Sequence, residues 1–289
     1  MTDSLHEAHA ATAPDLSDLA VPDSMRLLDD VLPPAPGTIC EVGCGRGALA
    51  AALVAAGYQV TGLEPNAEAA AVAQRRGVSV LVEGLLEHRT PDGYDAILFT
   101  RSLHHIENLD AAVSHALALL RPTGRLILEE FAWERADPAA AAFVFDTISV
   151  LDAAGLTRPA DDVRRESAGH EHAGHEHAGH GAAAAQHGGS DDPAADPWQR
   201  WQQGFRPADD DEDPSVKPLH PGGEIATVLT GHGLTVRESE TPGLWRIVAQ
   251  RLGDTAAARP VARTVRAVEQ RRIDDGSLPA LGRFLLATR

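Results

Sequence analysis

The stretch Glu41-Val42-Gly43-Cys44-Gly45-Arg46-Gly47 concentrates residues able to handle a ligand. Glycines at 43, 45 and 47 permit unusual backbone dihedrals and bring the main chain close to whatever is bound. The alanine- and leucine-rich run that follows, Ala48 to Ala56, has the composition of a helix. The first N–H groups of such a helix are unpaired and attract polar or negative groups. Gly43, Gly45 and Ala48 satisfy the loose dinucleotide pattern, so the turn alone admits a nicotinamide cofactor. Glu41 argues against that ligand: a carboxylate two places before the first glycine repels a pyrophosphate and suits a positively charged group. The ammonium and sulfonium of S-adenosylmethionine are of that kind. Glu64 lies about 20 residues beyond the turn, where an acidic side chain accepts both hydroxyls of a ribose. His104 and His105 are candidates for proton transfer, imidazole being the side chain that titrates near neutral pH.

The elements that must position these residues alternate. Strands are expected at Thr38–Cys40, Tyr58–Leu63, Val78–Val82, Asp95–Thr100 and Gly124–Glu129, with helical runs at Ala48–Ala56, Ala67–Arg76 and Leu109–Leu120. Pro65 and Asn66 fit the start of the second helix. Such alternation argues for an α/β fold, a doubly wound Rossmann-like sheet that is mostly parallel. Ligands of these sheets gather outside the carboxyl ends of the strands, which puts the loop Arg101-Ser102-Leu103-His104-His105 beside the reacting centre.

With these motifs in order, the chain resembles the class I S-adenosylmethionine-dependent methyltransferases, of the small-molecule type. The resemblance is carried by EVGCGRG at Glu41–Gly47, GLEPN at Gly62–Asn66, YDAILFTRSLHHI at Tyr94–Ile106 and LRPTGRLILEE at Leu120–Glu130, and covers roughly a third of the chain. It implies S-adenosylmethionine as cofactor and S-adenosylhomocysteine as product. It also implies an antiparallel C-terminal strand, for which Gly282–Thr288 is the candidate. Glu41, Gly43, Cys44, Gly45, Gly47, Glu64, Pro65, Leu85, Leu86, Arg101 and Ser102 are the expected cofactor contacts, and His104 and His105 the expected catalytic residues. One departure stands out. Leu85 occupies the place of an acidic residue that would contact the adenine amino group, leaving backbone groups of Leu85 and Leu86, or the side chain of Glu87, to substitute. Glu129, Glu130, Phe131 and Trp133 follow the fifth strand as candidate pocket lining.

Composition narrows the partners. The chain has 289 residues, with 25 basic against 42 acidic, for a net charge of −17. It has no basic patch to neutralise phosphates, which disfavours a nucleic acid. No apolar run approaches a membrane span. Cys40 and Cys44, the only cysteines, flank one strand end; they read as small packed residues in a reducing cytoplasm. The expected partner is a small-molecule methyl acceptor, with O-, N- and C-methylation all open. The alternatives are a nicotinamide-dependent oxidoreductase and a non-catalytic metal-binding protein.

The chain divides into an N-terminal tail and cap helix, 1–34, and a catalytic domain, 35–289, interrupted by an insertion at about 157–197. The helical spacing from Leu16 to Leu32 marks the cap, a candidate lid. Within the insertion, AGHEH occurs at Ala168–His172 and again at Ala173–His177, and restarts at Ala178. Its composition cannot build a core and reads as disordered. His170, His172, His175, His177 and His180 offer weak divalent-metal affinity, imidazole being a common ligand, but a Gly/Ala-rich tract lacks the fixed geometry of a structural site. Trp198, Trp201 and Phe205 are expected to dock back over the pocket. Further helices are expected at Phe143–Leu156, Gly222–Gly233, Leu244–Leu252 and Val261–Ile273, with a strand at Leu234–Glu240. Deleting Ser167–Ser190 should remove weak zinc and nickel uptake measured by calorimetry. Equal weak uptake by both forms would exclude a metal role for the repeat.

Overall fold

The computed structural model describes residues 16–158, 195–204, 220–253 and 255–289; the histidine repeat and Phe205 lie outside them. Its centre is a seven-stranded sheet. The strands are β1 (Thr38–Val42), β2 (Gln59–Leu63), β3 (Ser79–Leu81), β4 (Tyr94–Thr100), β5 (Leu120–Phe131), β6 (Thr235–Thr241) and β7 (Gly282–Thr288). They lie in the order β3-β2-β1-β4-β5-β7-β6. The first five pair in parallel, and β7 runs antiparallel to both β5 and β6. The chain leaves β1 toward β2 and β3 and returns on the other side as β4. That reversal opens a crevice at the carboxyl ends of β1 and β4, the usual ligand site of such sheets.

Successive strand residues point to opposite faces, and two cores follow. On one face Cys40, Val42, Leu63, Ile97, Phe99, Leu126 and Leu128 pack with α4 (Leu109–Leu119) and α7 (Gly222–Gly231). On the other, Ile39, Val60, Ala96, Leu98 and Ile127 pack with α1 (Leu16–Leu28), α2 (Ala48–Ala55) and α3 (Ala67–Arg75). A third cluster is helical. It joins α5 (Pro138–Ala153), α6 (Pro197–Gly204), α8 (Leu244–Gln250) and α9 (Ala258–Asp274), with Ala20 of α1 buried among them.

Several element ends differ from the sequence expectation for local reasons. The cap helix stops at Leu28, where the Leu28 carbonyl accepts the N–H groups of Val31 and Leu32 at 3.0 and 2.9 Å. Asp29 and Asp30 would oppose the negative end of a longer helix. α5 starts at Pro138, ahead of Phe143, because the Asp137 carboxylate caps it by accepting the Ala140 N–H at 2.8 Å. β5 starts at Leu120, ahead of Gly124, because Leu120 pairs with Tyr94 before the register shifts to Ala96–Arg125. The tryptophans do not dock over the crevice. Trp201 is buried in the helical cluster and Trp198 packs against it, with the Arg200 guanidinium 4.2 Å from the Phe145 ring centre. The wide apolar faces of α5 and α8 are the nearer acceptors of their surface.

One buried carboxylate sets the position of α8. Glu269 of α9 accepts the N–H groups of Gly243, Leu244 and Trp245 at 2.7–2.8 Å, so the start of α8 has its unpaired donors satisfied from another helix. Replacing Glu269 with Ala strands those three donors in the core. A loss of about 3 kcal/mol or more is expected in urea unfolding; an unchanged midpoint would show that solvent reaches them.

Candidate active site

The glycine turn is held from the neighbouring strand. The Leu63 carbonyl accepts both the Gly43 and Cys44 N–H groups at 2.8 and 3.0 Å, fastening the end of β1 to the end of β2. Gly43, Gly45 and Gly47 take φ of 66, 54 and 74°, the left-handed region that favours glycine. A Cβ on Gly47 would lie 2.5 Å from that of Ala73, so the third glycine also lets α2 and α3 approach. Cys44 is buried, its Sγ filling the space left by Gly62, where an added Cβ would stand 2.5 Å away. Glu64, also buried, accepts the Gly45 N–H at 2.8 Å through Oε2 and the Asn66 N–H at 2.9 Å through Oε1. Asn66 in turn caps α3, accepting from Glu68 and Ala69.

Beside this turn lies a cavity open to solvent. Gly43, Glu64, Pro65, Leu85, Leu86, Ser102 and His105 all line it, seven of the residues singled out from the sequence. Val42, Leu63 and Ile106 add apolar wall, and Glu83 and Glu87 add carboxylates near Gly84. Ser102 joins β4 to β1 by donating its hydroxyl to the Val42 carbonyl at 2.6 Å. Glu83 was not foreseen. It holds buried His88 at 2.7 Å, and the other ring nitrogen of His88 meets the Tyr94 hydroxyl at 2.9 Å. Its position one residue before Gly84 was the available signal, but the family spacing drew attention to Leu85.

His104 forms a dyad. Its Nδ1 is bonded to Oε2 of Glu130, whose Oε1 accepts the Leu103 N–H at 3.1 Å. Glu130 is buried, while the imidazole is 14% exposed. An Nδ1–H donated to Glu130 leaves Nε2 as the acceptor nitrogen, the tautomer a base requires. The His105 ring is stacked at a tilt, 4.2 Å between centres. The His104 carbonyl accepts from the backbone of His220, which also meets the Glu107 carbonyl through Nε2 at 3.1 Å. This segment just before α7 therefore braces the loop.

Arg101 and Glu41 sit apart from the cavity lining. Arg101 follows β4 with φ 58°, a costly conformation for a non-glycine residue, of order 1–3 kcal/mol. Its Nη1 lies 3.5 Å from Oε1 of Glu129, which also pairs with Arg246 of α8; Oε2 of Glu129 accepts the Ser24 hydroxyl of α1 at 2.6 Å. These guanidiniums hold Glu129 below the usual carboxylate range against its burial. Glu41 is buried at the end of β1, with Oε1 accepting from Thr100 at 3.3 Å and Oε2 without a hydrogen-bond partner. Burial pushes its carboxyl up to about 8, opposed by Thr100 and Arg101. Among the described residues no group of three or more His, Cys, Asp or Glu is placed to hold a metal ion, and no helix is long and apolar enough to cross a membrane.

The raised Glu41 value makes folding pH-dependent. The native state keeps a proton that the unfolded chain releases near 4.5, so its stabilising contribution is full below that pH and is lost as the pH rises to about 8. Glu41→Gln should flatten this part of the profile of urea midpoints. An identical slope in both proteins would place the titration elsewhere.

A family model described as a methyltransferase domain matches residues 18–238. An uncharacterized methyltransferase of Bacillus cytotoxicus is 30% identical over 109 residues, covering 36% of this chain and 51% of the relative. One of Mycobacterium tuberculosis is 33% identical over 110 residues, covering 36% and 56%. The chain thus spans about half the length of these curated relatives. Among solved structures, Phospholethanolamine N-methyltransferase 2 of Haemonchus contortus superposes with a TM-score of 0.51 at 14% identity, covering 93% of this chain and 52% of that one. A Listeria monocytogenes structure assigned to the S-adenosylmethionine-dependent methyltransferases gives 0.50 at 13%, covering 94% and 98%. These likenesses concern the fold alone. With the domain model running from the cap helix into β6 over a sheet of this topology, the chain belongs to this methyltransferase-domain family.

Proposed function

We propose that the chain transfers a methyl group to a small molecule whose nucleophilic atom arrives protonated, an O–H or N–H acceptor, and that His104 removes the proton. The observation that carries this reading is the His104–Glu130 dyad at the carboxyl ends of β4 and β5, beside the cavity.

The residues of the cavity fit an adenosyl ligand. The buried Glu64 carboxylate lines the cavity at the end of β2, and a carboxylate is an acceptor suited to ribose hydroxyls. Val42, Leu63, Leu85, Leu86 and Ile106 supply the apolar walls a purine needs, and Glu83 and Glu87 offer acceptors for its amino group. Gly43, with no side chain, lets a ligand come close to the backbone of the turn. Glu41, just behind the lining, has an unpartnered buried oxygen, and an ammonium group bound beside it would favour the charged form over the proton that burial retains. When bound, S-adenosylmethionine supplies a methyl group already activated by its sulfonium.

What remains for the protein is alignment, exclusion of water and proton management. Glu130 fixes the His104 ring and its tautomer, so that Nε2 receives the proton of the acceptor. The resulting imidazolium is stabilised by the buried carboxylate on Nδ1. His105, in the cavity wall and stacked on His104, restricts the ring's other side.

Glu64→Ala should weaken S-adenosylhomocysteine binding in calorimetry by about 1.5–3 kcal/mol, the scale of hydrogen bonds to a charged group. Unaltered affinity contradicts that role. Turnover of labelled methyl donor, screened over phenols, alcohols and amines, should fall about 10²–10⁴-fold in His104→Ala with product affinity retained. Near-normal turnover in both His104→Ala and His105→Ala would sink the base.

A further inference from the structure

Glu129 is asked to neutralise more than one carboxylate can. Its Oε1 faces two guanidiniums, those of Arg101 and Arg246, and its Oε2 is taken by Ser24. The other acids nearby are engaged. Asp23 pairs with Arg26 and Arg266, and Glu269 is spent on the three N–H groups that open α8. Glu41, deep under the glycine turn, is hydrogen-bonded to Thr100 and forms no ion pair among the described residues. Arg246 is occupied: it pairs with Glu129 and lies 4.9 Å from the Trp245 ring centre. Arg101 is not. Its Nη1 is buried and makes no hydrogen bond, its remaining contact with Glu129 is a 3.5 Å ion pair, and 29% of the side chain is exposed. Its backbone is held at a φ of 58°. The next residue, Ser102, lines the cavity.

A planar guanidinium with unfilled donors, in a partly buried place, matches an oxyanion better than any neutral group. We propose that Arg101 is a specificity residue that binds an oxyanion carried by the methyl acceptor, a carboxylate or a phosphate ester. The acceptor then has its anionic end on Arg101 and its nucleophilic atom at His104, next to the cavity that His105 lines. This rests on the methyltransferase reading of that cavity and adds the substrate class. The order of events at Arg101 involves no covalent change: it orients the acceptor and leaves proton removal to His104.

The test uses the full-length protein loaded with S-adenosylhomocysteine. Small aromatic and aliphatic carboxylates and phosphate monoesters are titrated calorimetrically, each beside its neutral amide or alcohol counterpart. In the wild type at least one oxyanion should bind about tenfold or more tighter than its counterpart, the scale of a charge-assisted hydrogen bond. R101Q should abolish that preference and R101K keep part of it, with S-adenosylhomocysteine affinity within about threefold in both. R101K guards against a misfolded R101Q, and thermal unfolding of each variant reports on its fold. Whether carboxylates or phosphates are preferred identifies the acceptor's group. Equal binding of anions and neutral counterparts by the wild type overturns the proposal, as does a preference that survives in R101Q. A tenfold or greater loss of S-adenosylhomocysteine affinity in R101Q would assign the anion to the cofactor's own carboxylate and overturn it as well. Failure of the wild type to bind S-adenosylhomocysteine at all would instead overturn the cofactor reading, and the same panel run on the unliganded protein still decides the role of Arg101.

Discussion

The site depends on the seam between the ends of β1 and β2. The Leu63 carbonyl takes two N–H groups from the glycine turn, and the carboxylate one residue later takes a third from Gly45. Three donors that a ligand or water would otherwise compete for are thereby committed to one point on β2. The turn cannot relax toward an ordinary loop without leaving buried polar groups unpaired, at a cost of about 1–3 kcal/mol each. Because Glu64 also reaches Asn66, and Asn66 caps α3, the same carboxylate fixes where the next helix begins. Gly62 completes the seam by making room for the Cys44 sulfur. The cavity is the consequence: its floor is this seam, and its walls are the residues that follow β3 and β4.

β5 divides the remaining chemistry by strand periodicity alone. Glu129 and Glu130 are neighbours, so their side chains leave the sheet on opposite faces. Glu130 emerges on the face packed by α4 and α7, where it meets His104. Glu129 emerges on the face covered by α1, where it meets Ser24, Arg101 and Arg246. A shift of one residue in the pairing of β5 with β4 would exchange the two environments. It would give the imidazole the wrong partner and bury a carboxylate without its cations. The register Thr100–Glu129 is thus as much a part of the site as either side chain.

The sequence made legible what is local. The glycine spacing, the acidic residue at the end of β2 and the histidines after β4 each report a strand–turn–helix junction, and Gly43, Glu64 and His105, chosen on those grounds, line one cavity. The final strand, Gly282–Thr288, was read to the residue, because the family resemblance implies a C-terminal strand and this apolar run fits it. What stayed hidden is long-range. Nothing in the order of residues joins Ser24 to Glu129, 105 positions away, or Glu129 to Arg246, 117 away. The expectation that the tryptophans dock over the crevice rests only on their place after the insertion. The helical cluster they enter exists only once α5, α8 and α9 have packed.

Ion pairs buried to this depth are a poor way to gain stability. Removing charges from water costs several kcal/mol per ion, and a well-packed apolar trio often does as well or better. The helical cluster next to Glu129 is apolar, so the chain has the means to close this junction with hydrocarbon alone. Instead it carries two arginines, a glutamate and a serine from four separate elements to the carboxyl ends of β4 and β5, and holds one arginine in a left-handed backbone conformation. Strain and desolvation at one place, next to the strand ends where ligands gather, are what a binding site costs and a mere structural fastening does not require.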